Sequence, residues 1–350
     1  MTSTLRTVAE AMVAPGRGIL AADESSGTAN ARFAKLGIPQ TAELRRQYRE
    51  LLFTSADLGR WISGAILYDE TLRQADTQGT PLADVLKAAG ILAGIKVDTG
   101  TLPLELGDGI EKVTAGLDGL AQRVSEYVGL GATFAKWRAV IAIGDGIPSA
   151  RCLHVNAHAL ARYAAICQAG GLVPIVEPEI LMDGDHADHD IDVAFAVQER
   201  VLTEVFSELA HAGVAFEGMV LKPSMVVPGQ KSSRAATSRE IAEATVTNLL
   251  RRVPAAVAGI AFLSGGQGDI EATVNLNEIN RVAKERGAPW PLTFSFGRAL
   301  QAPAIAAWLG NGANVRAAQG QLLHRAQMNG MAALGEYTEQ AEGQRALVPA

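Results

Sequence analysis

The chain has 350 residues, 48% of them apolar, which suits one large α/β domain or two medium ones around a substantial core. Its formal net charge of −6 argues against nucleic acid as a partner, so any anionic ligand must be met by local lysines and arginines. No apolar run is long enough to span a bilayer, the first ten residues lack a leader's apolar stretch, and the two cysteines, Cys152 and Cys167, fall in one helical region; the expectation is a cytoplasmic protein with reduced thiols and no membrane association.

In chain order, the opening residues read as an amphipathic helix. Eight short apolar runs then read as strands, over 18–23, 62–69, 92–98, 133–138, 172–179, 217–222, 259–266 and 292–298. Periodic apolar faces predict helices between and after them, over 41–58, 85–89, 116–130, 156–169, 193–212, 239–250, 275–286 and 313–328. Eight strand-then-helix units with near-continuous apolar strands predict an α/β fold, a single (β/α)8 TIM barrel with an N-terminal helix and a C-terminal helix. The alternative, an open doubly wound sheet, lacks a Gly-x-Gly-x-x-Gly turn after the first strand. No internal repeat, low-complexity segment or linker divides the chain. The expected organisation is a barrel over 1–335 and a flexible polar tail over 336–350.

The sixth run ends on Lys222, where apolar side chains should continue. Burying an ammonium is costly, and release of its proton yields an amine nucleophile. A lone barrel-end lysine is more commonly held in an ion pair or snorkels to water. The other strands change that balance. Lys96 and Asp98, Lys136 and Arg138, and Glu177 and Glu179 are each two apart, so each pair shares one face of its strand. Asp23 ends the first strand. Barrel interiors are normally layers of branched apolar side chains, so this arc of alternating charge marks a catalytic centre at the strands' C-terminal ends.

Anion sites follow from the same frame. The seventh strand ends Ser264-Gly265-Gly266 and the eighth Gly297-Arg298, where barrels frequently bind phosphate. Lys96 and Arg32, near Ser25 and Thr28, form a second cationic cluster; two anion sites flanking a lysine imply a bisphosphate. Metal ligation is the weaker reading elsewhere. The run 183–190 is rich in Asp and His, and His154 and His158 are four apart on a helix without the Glu of a His-Glu-x-x-His motif; both read as solvated surface, and no catalytic metal or cofactor is expected.

The runs Gly18-Ile-Leu-Ala-Ala-Asp23-Glu-Ser-Ser-Gly27, Gly94-Ile-Lys96-Val-Asp98, Phe134-Ala-Lys136-Trp-Arg138, Pro174-Ile-Val-Glu177-Pro-Glu179, Leu221-Lys222-Pro223, Phe262-Leu-Ser264-Gly-Gly-Gln267 and Ser295-Phe-Gly297-Arg298-Ala-Leu-Gln301 resemble class I fructose-bisphosphate aldolase, to about Tyr337. The resemblance implies a metal-independent Schiff-base barrel, usually a homotetramer, acting on a sugar bisphosphate and triose phosphates in glycolysis and gluconeogenesis. It makes Lys222 the Schiff-base lysine, Glu177 the acid/base for carbinolamine formation and dehydration, Asp23 a group near the scissile bond, and Lys136 a keeper of charge balance. Glu179 and Arg138 match supporting ion-paired residues. Ser264, Gly265, Gly297 and Arg298 match the site for one phosphate, and Ser25, Thr28, Arg32 and Lys96 positions around the other. Three departures stand out: Ala31 replaces a second basic residue common in the family, Ser224 replaces an asparagine, and the animal-type terminal tyrosine that assists proton exchange has no counterpart. Two further readings stay open at this point: a related Schiff-base lyase for a monophosphate or unphosphorylated sugar, to which Ala31 points, and a non-catalytic barrel serving as a scaffold, against which the intact charged set argues.

Overall fold

The computed structural model describes residues 2–107, 109–184 and 187–343. In chain order its strands are β1 (Gly18–Ala22), β2 (Ile62–Leu67), β3 (Leu92–Lys96), a short antiparallel pair β4 (Thr101–Pro103) and β5 (Lys112–Thr114), then β6 (Phe134–Ile141), β7 (Val173–Ile180), β8 (Val220–Leu221), β9 (Gly259–Phe262) and β10 (Leu292–Phe296). All but β4 and β5 form a closed barrel, in the order β1-β10-β9-β8-β7-β6-β3-β2, and every barrel pairing is parallel. Closure excludes the open doubly wound sheet, and the eight predicted strands are the eight staves of a TIM barrel with helices around it.

Alternate residues of each stave fill the inside. Ile19, Ala21, Ile66, Phe134, Val173, Ile175, Val220 and Ala261 form one buried cluster together with Leu5, Ala9, Met12 and Val13. The helix Thr2–Met12 therefore stops the lower end of the barrel, with Leu5, Ala9 and Met12 spaced for one helical face. A bulky ring is accommodated by small neighbours. Phe134 is fully buried, and a Cβ on Gly94 would meet its ring at 2.1 Å. Gly64 makes room on the other side, where an added Cβ would lie 3.1 Å from the same ring. These contacts fill the lower barrel with apolar atoms and leave the polar tier only the C-terminal end.

Several predicted boundaries move. β8 is two residues long, because Phe216–Gly218 winds into a 3₁₀ turn tied down by Gln168 Nε2, which donates to the carbonyls of Ala215 (2.8 Å) and Gly218 (3.1 Å). β10 ends at Phe296, and Arg298 opens the helix Arg298–Trp308, a helix the apolar pattern did not separate from its strand. A second unpredicted helix, Ser26–Lys35, starts under the cap of Ser25, whose Oγ accepts from the Thr28 amide. The β4–β5 hairpin also escaped, since β4 is exposed throughout and carries no apolar alternation. The first residues of the expected tail are packed. Tyr337 is buried, its hydroxyl donates to Glu342 Oε2 at 2.9 Å, and Glu339–Glu342 forms one helical turn; residues 344–350 of the expected tail lie outside the described residues.

The close seat of Phe134 sets a prediction. Gly94→Ala forces the ring or the strand to move, and overpacking of this kind costs about 1–3 kcal/mol. A lower urea midpoint with an unchanged slope is expected, and a midpoint equal to that of the parent would contradict this account of the interior.

Candidate active site

The C-terminal ends of the strands open into a cavity of about 820 Å³. Asp23, Ser25, Thr28, Arg32, Lys96, Lys136, Arg138, Glu177, Glu179, Lys222, Ser264, Gly265, Gly297 and Arg298 all line it, so the residues singled out in the sequence converge on one place.

Its floor is a chain of charges, Asp23 and Lys96 half-buried and the others buried. Lys222 directly follows β8, and its amide donates to the Val176 carbonyl at 2.8 Å, which brings it level with Glu177 on β7. Lys222 Nζ lies 2.9 Å from Glu177 Oε1. Glu177 Oε2 faces Lys136 Nζ at 3.4 Å and takes no hydrogen bond among the described residues. Lys136 Nζ in turn sits 2.6 Å from Asp23 Oδ2 and 3.9 Å from Asp98 Oδ2. Lys96 closes the row, 2.6 Å from Asp98 Oδ1. Three cations thus alternate with three carboxylates. Beside them Arg138 pairs with Glu179.

Burial opposes ionisation of Asp23, yet Lys136, Lys222 and Lys96 together hold its carboxyl well below the usual carboxylate range. Burial opposes the charge on Lys136 too, and Asp23, Glu177 and Asp98 together raise its ammonium above the ordinary lysine value. By contrast, the thiols are simply buried: Cys152, near Glu111, is pushed up to about 12, and Cys167 also rises, so both are inert free cysteines.

The rim supplies donors from the ends of the consecutive staves β9, β10 and β1. Ser264 is buried just past β9, and Gly266 adopts φ +75°, a left-handed turn that suits glycine and lets the chain fold back over the mouth. Gly297 precedes the helix Arg298–Trp308, whose first N–H groups lie at the same end of the barrel. Past the end of the adjacent strand β1, Ser25 Oγ and Thr28 Oγ1 are 3.1 Å apart at the start of the helix Ser26–Lys35. Arg32 lines the cavity there, but its guanidinium is committed to Glu24. That glutamate was missed in the sequence. It is also bound by Arg49 (2.7 Å) and by Gln301 Nε2 (2.9 Å), and the two arginines overcome the effect of burial and lower its carboxyl. The available signal was Arg49, a cation beside Tyr48, Leu51, Leu52 and Phe53 on the buried face of its helix. Ser295 was passed over as well. It lines the cavity from β10, and its buried hydroxyl has no hydrogen-bond partner among the described residues. In the run 183–190, Asp185 and His186 lie outside the described residues, and Asp190 caps the helix Ile191–His211 through the Val193 amide.

The sign of each shift gives a pH window. The depressed Asp23 stabilises fully above about pH 4, and its contribution is lost as pH falls through its folded value; the raised Lys136 stabilises fully below about pH 10, and its contribution is lost as pH climbs through its folded value. Lys136→Met leaves Asp23, Glu177 and Asp98 without their shared cation. The expected loss is about 3–5 kcal/mol at pH 7. It shrinks as pH falls toward about 5, because Asp23, deprived of the cation that holds it ionised, then takes up a proton more readily in the folded chain. Urea unfolding at two pH values measures this, and an equal loss at both would contradict the charge accounting.

Comparison with known proteins supplies the family. Residues 4–348 match the model of the family described as fructose-bisphosphate aldolase class-I. The chain is 51% identical over 334 residues to a probable fructose-bisphosphate aldolase class 1 of Xanthomonas axonopodis pv. citri, covering 95% of this chain and 98% of that one. It is 52% identical to fructose-bisphosphate aldolase of Drosophila melanogaster, covering 97% and 92% respectively. Among solved structures, fructose-bisphosphate aldolase from Plasmodium falciparum, determined in complex with TRAP and a small-molecule inhibitor, superposes with a TM-score of 0.93 at 47% identity, covering 96% of each chain. On the closed barrel, the charged mouth and these matches, the chain belongs to the class I fructose-bisphosphate aldolase family, lyases that work without a metal.

Proposed function

We propose that this chain performs the reversible cleavage of fructose 1,6-bisphosphate to dihydroxyacetone phosphate and glyceraldehyde 3-phosphate through an imine on Lys222. The observation that carries the reading is the 2.9 Å contact between Lys222 Nζ and Glu177 Oε1, buried inside the alternating row of charge. Transfer of one proton along this contact turns an ammonium and a carboxylate into an amine and a carboxylic acid and leaves the net charge of the pair at zero. The amine attacks C2 of the open-chain sugar. Glu177 returns the proton to the departing C2 hydroxyl, water leaves, and an iminium forms. The iminium withdraws electrons from the C3–C4 bond. Asp23, held ionised by Lys136, or Glu177 takes the C4 hydroxyl proton as the bond breaks. The aldehyde departs; the carboxyl that took the C4 hydroxyl proton delivers it, directly or through water, to C3 of the enamine, and hydrolysis of the iminium restores Lys222.

In this reading Ser264, Gly265, Gly297 and Arg298 hold the phosphate on C1, and Ser25, Thr28, Arg32 and Lys96 surround the other, while Arg138–Glu179 braces the wall. Fixing both ends of the sugar supplies several kcal/mol through orientation. On the resemblance to the family, the reading extends to a cytoplasmic homotetramer in glycolysis and gluconeogenesis. A second reading, preference for a monophosphate, draws on Ala31 and on the pairing of Arg32 with Glu24, which leave the far end of the site less cationic.

Steady-state cleavage assays in the presence of EDTA test this. Lys222→Met is expected to lose cleavage entirely while keeping the parent's circular dichroism, and residual turnover in that variant would overturn the assignment. Arg298→Ala is expected to raise KM by roughly 10–100-fold, the effect of losing a charged hydrogen bond to phosphate.

A further inference from the structure

We propose that His154, Glu204 and Glu208 form a binding site for one divalent transition-metal ion of the zinc class, on the outside of the barrel and separate from the catalytic mouth. His154 and His158 are one turn apart on the helix Ala150–Ala169, so both rings leave the same face, with centroids 6.2 Å apart. Glu204 and Glu208 are one turn apart on the neighbouring helix Ile191–His211. The two pairs meet across the seam between the helices.

The contacts there exceed what two histidine–glutamate hydrogen bonds require. His154 Nδ1 lies 3.0 Å from Glu204 Oε1 and 3.6 Å from Glu208 Oε1, so two carboxylates converge on one ring nitrogen. That nitrogen carries at most one proton, which serves one acceptor well. Like charges brought together around a single nitrogen are the arrangement a dication relieves. The size fits as well. One ligand atom from each of the three residues lies within 4.8 Å of the others. A tetrahedral zinc ion with bonds near 2.1 Å holds its ligand atoms roughly 3.4 Å apart, and the two separations at His154 fall on either side of that figure.

His158 plays a different part. Its Nδ1 is 2.9 Å from Glu208 Oε2, the oxygen turned away from His154. It therefore orients a ligating carboxylate from behind, as outer partners of metal ligands do. One neutral imidazole with two carboxylates carries two negative charges, which the ion neutralises. The imidazole favours zinc, copper or nickel over magnesium and calcium, which take oxygen shells. Access is open: the His154 side chain is 59% exposed, and with Glu204 it lines a surface groove of about 650 Å³ that leaves a fourth coordination position to water. The groove shares no lining residue with the catalytic cavity, so an ion here clips two outer helices and leaves the lyase chemistry free of metal. The sequence hid the site because its halves are 50 residues apart and neither half is a motif.

Calorimetric titration of untagged, EDTA-treated protein with Zn²⁺ tests the proposal, alongside His154→Ala and Glu204→Gln/Glu208→Gln. The parent is expected to bind one equivalent and to melt at a temperature that rises with Zn²⁺ concentration. Both variants are expected to fold and cleave like the parent without zinc, to bind it more than about tenfold more weakly, and to lose the thermal shift. Absence of saturable binding by the parent overturns the proposal, as does equal binding by parent and variants, which would place the ion elsewhere.

Discussion

The row Lys222–Glu177–Lys136, which branches at Lys136 to Asp23 and to Asp98–Lys96, is the constraint on which the rest of the molecule turns. Each member alone would carry a heavy desolvation cost. Together they alternate in sign, so each charge has an opposite neighbour, and the whole persists where water is largely excluded. The depressed Asp23 and the raised Lys136 express the same fact from two sides. Alternation also makes the row useful for chemistry, because a proton can pass between Lys222 and Glu177 without leaving an uncompensated charge behind.

Such a row demands matched height from five different segments, and the barrel provides it. Arg138 on β6 pairs in register with Glu177 on β7, and the Lys222 amide binds the β7 backbone one residue below that glutamate. Asp23 arrives from β1, on the opposite side of the closed sheet from β7, and reaches Lys136 because the sheet closes. Below this tier, Phe134 over Gly94 and Gly64 and the helix Thr2–Met12 fill the interior with apolar atoms. The lower barrel fixes where the strands stand; the upper barrel receives polar side chains at defined positions. This is the division of labour expected of the fold.

Much of this was legible in the sequence, for identifiable reasons. Parallel strands buried on both faces are short apolar runs, so all eight barrel staves stood out. Charges two apart on a strand share a face, which gathers Lys96 with Asp98, Lys136 with Arg138, and Glu177 with Glu179 from spacing alone. What stayed hidden depends on distance along the chain or on weak local signals. Glu24 joins Arg32 and Arg49 only after two helices pack together, and Ser295 is one small hydroxyl in an apolar strand. The two-residue β8 looked longer because the turn at Phe216–Gly218 is as apolar at its edges as a strand. The burial of Tyr337 rests on Asn277 and Glu342, contacts that polar composition alone does not announce.

The central claim is that Lys222 is the nucleophile. Incubation with dihydroxyacetone phosphate, reduction with borohydride and peptide mass spectrometry tests it most directly. The account predicts a single stable adduct on the peptide carrying Lys222, with catalytic activity lost in proportion to labelling. An unlabelled Lys222, or an adduct placed on Lys96 or Lys136 instead, would contradict it.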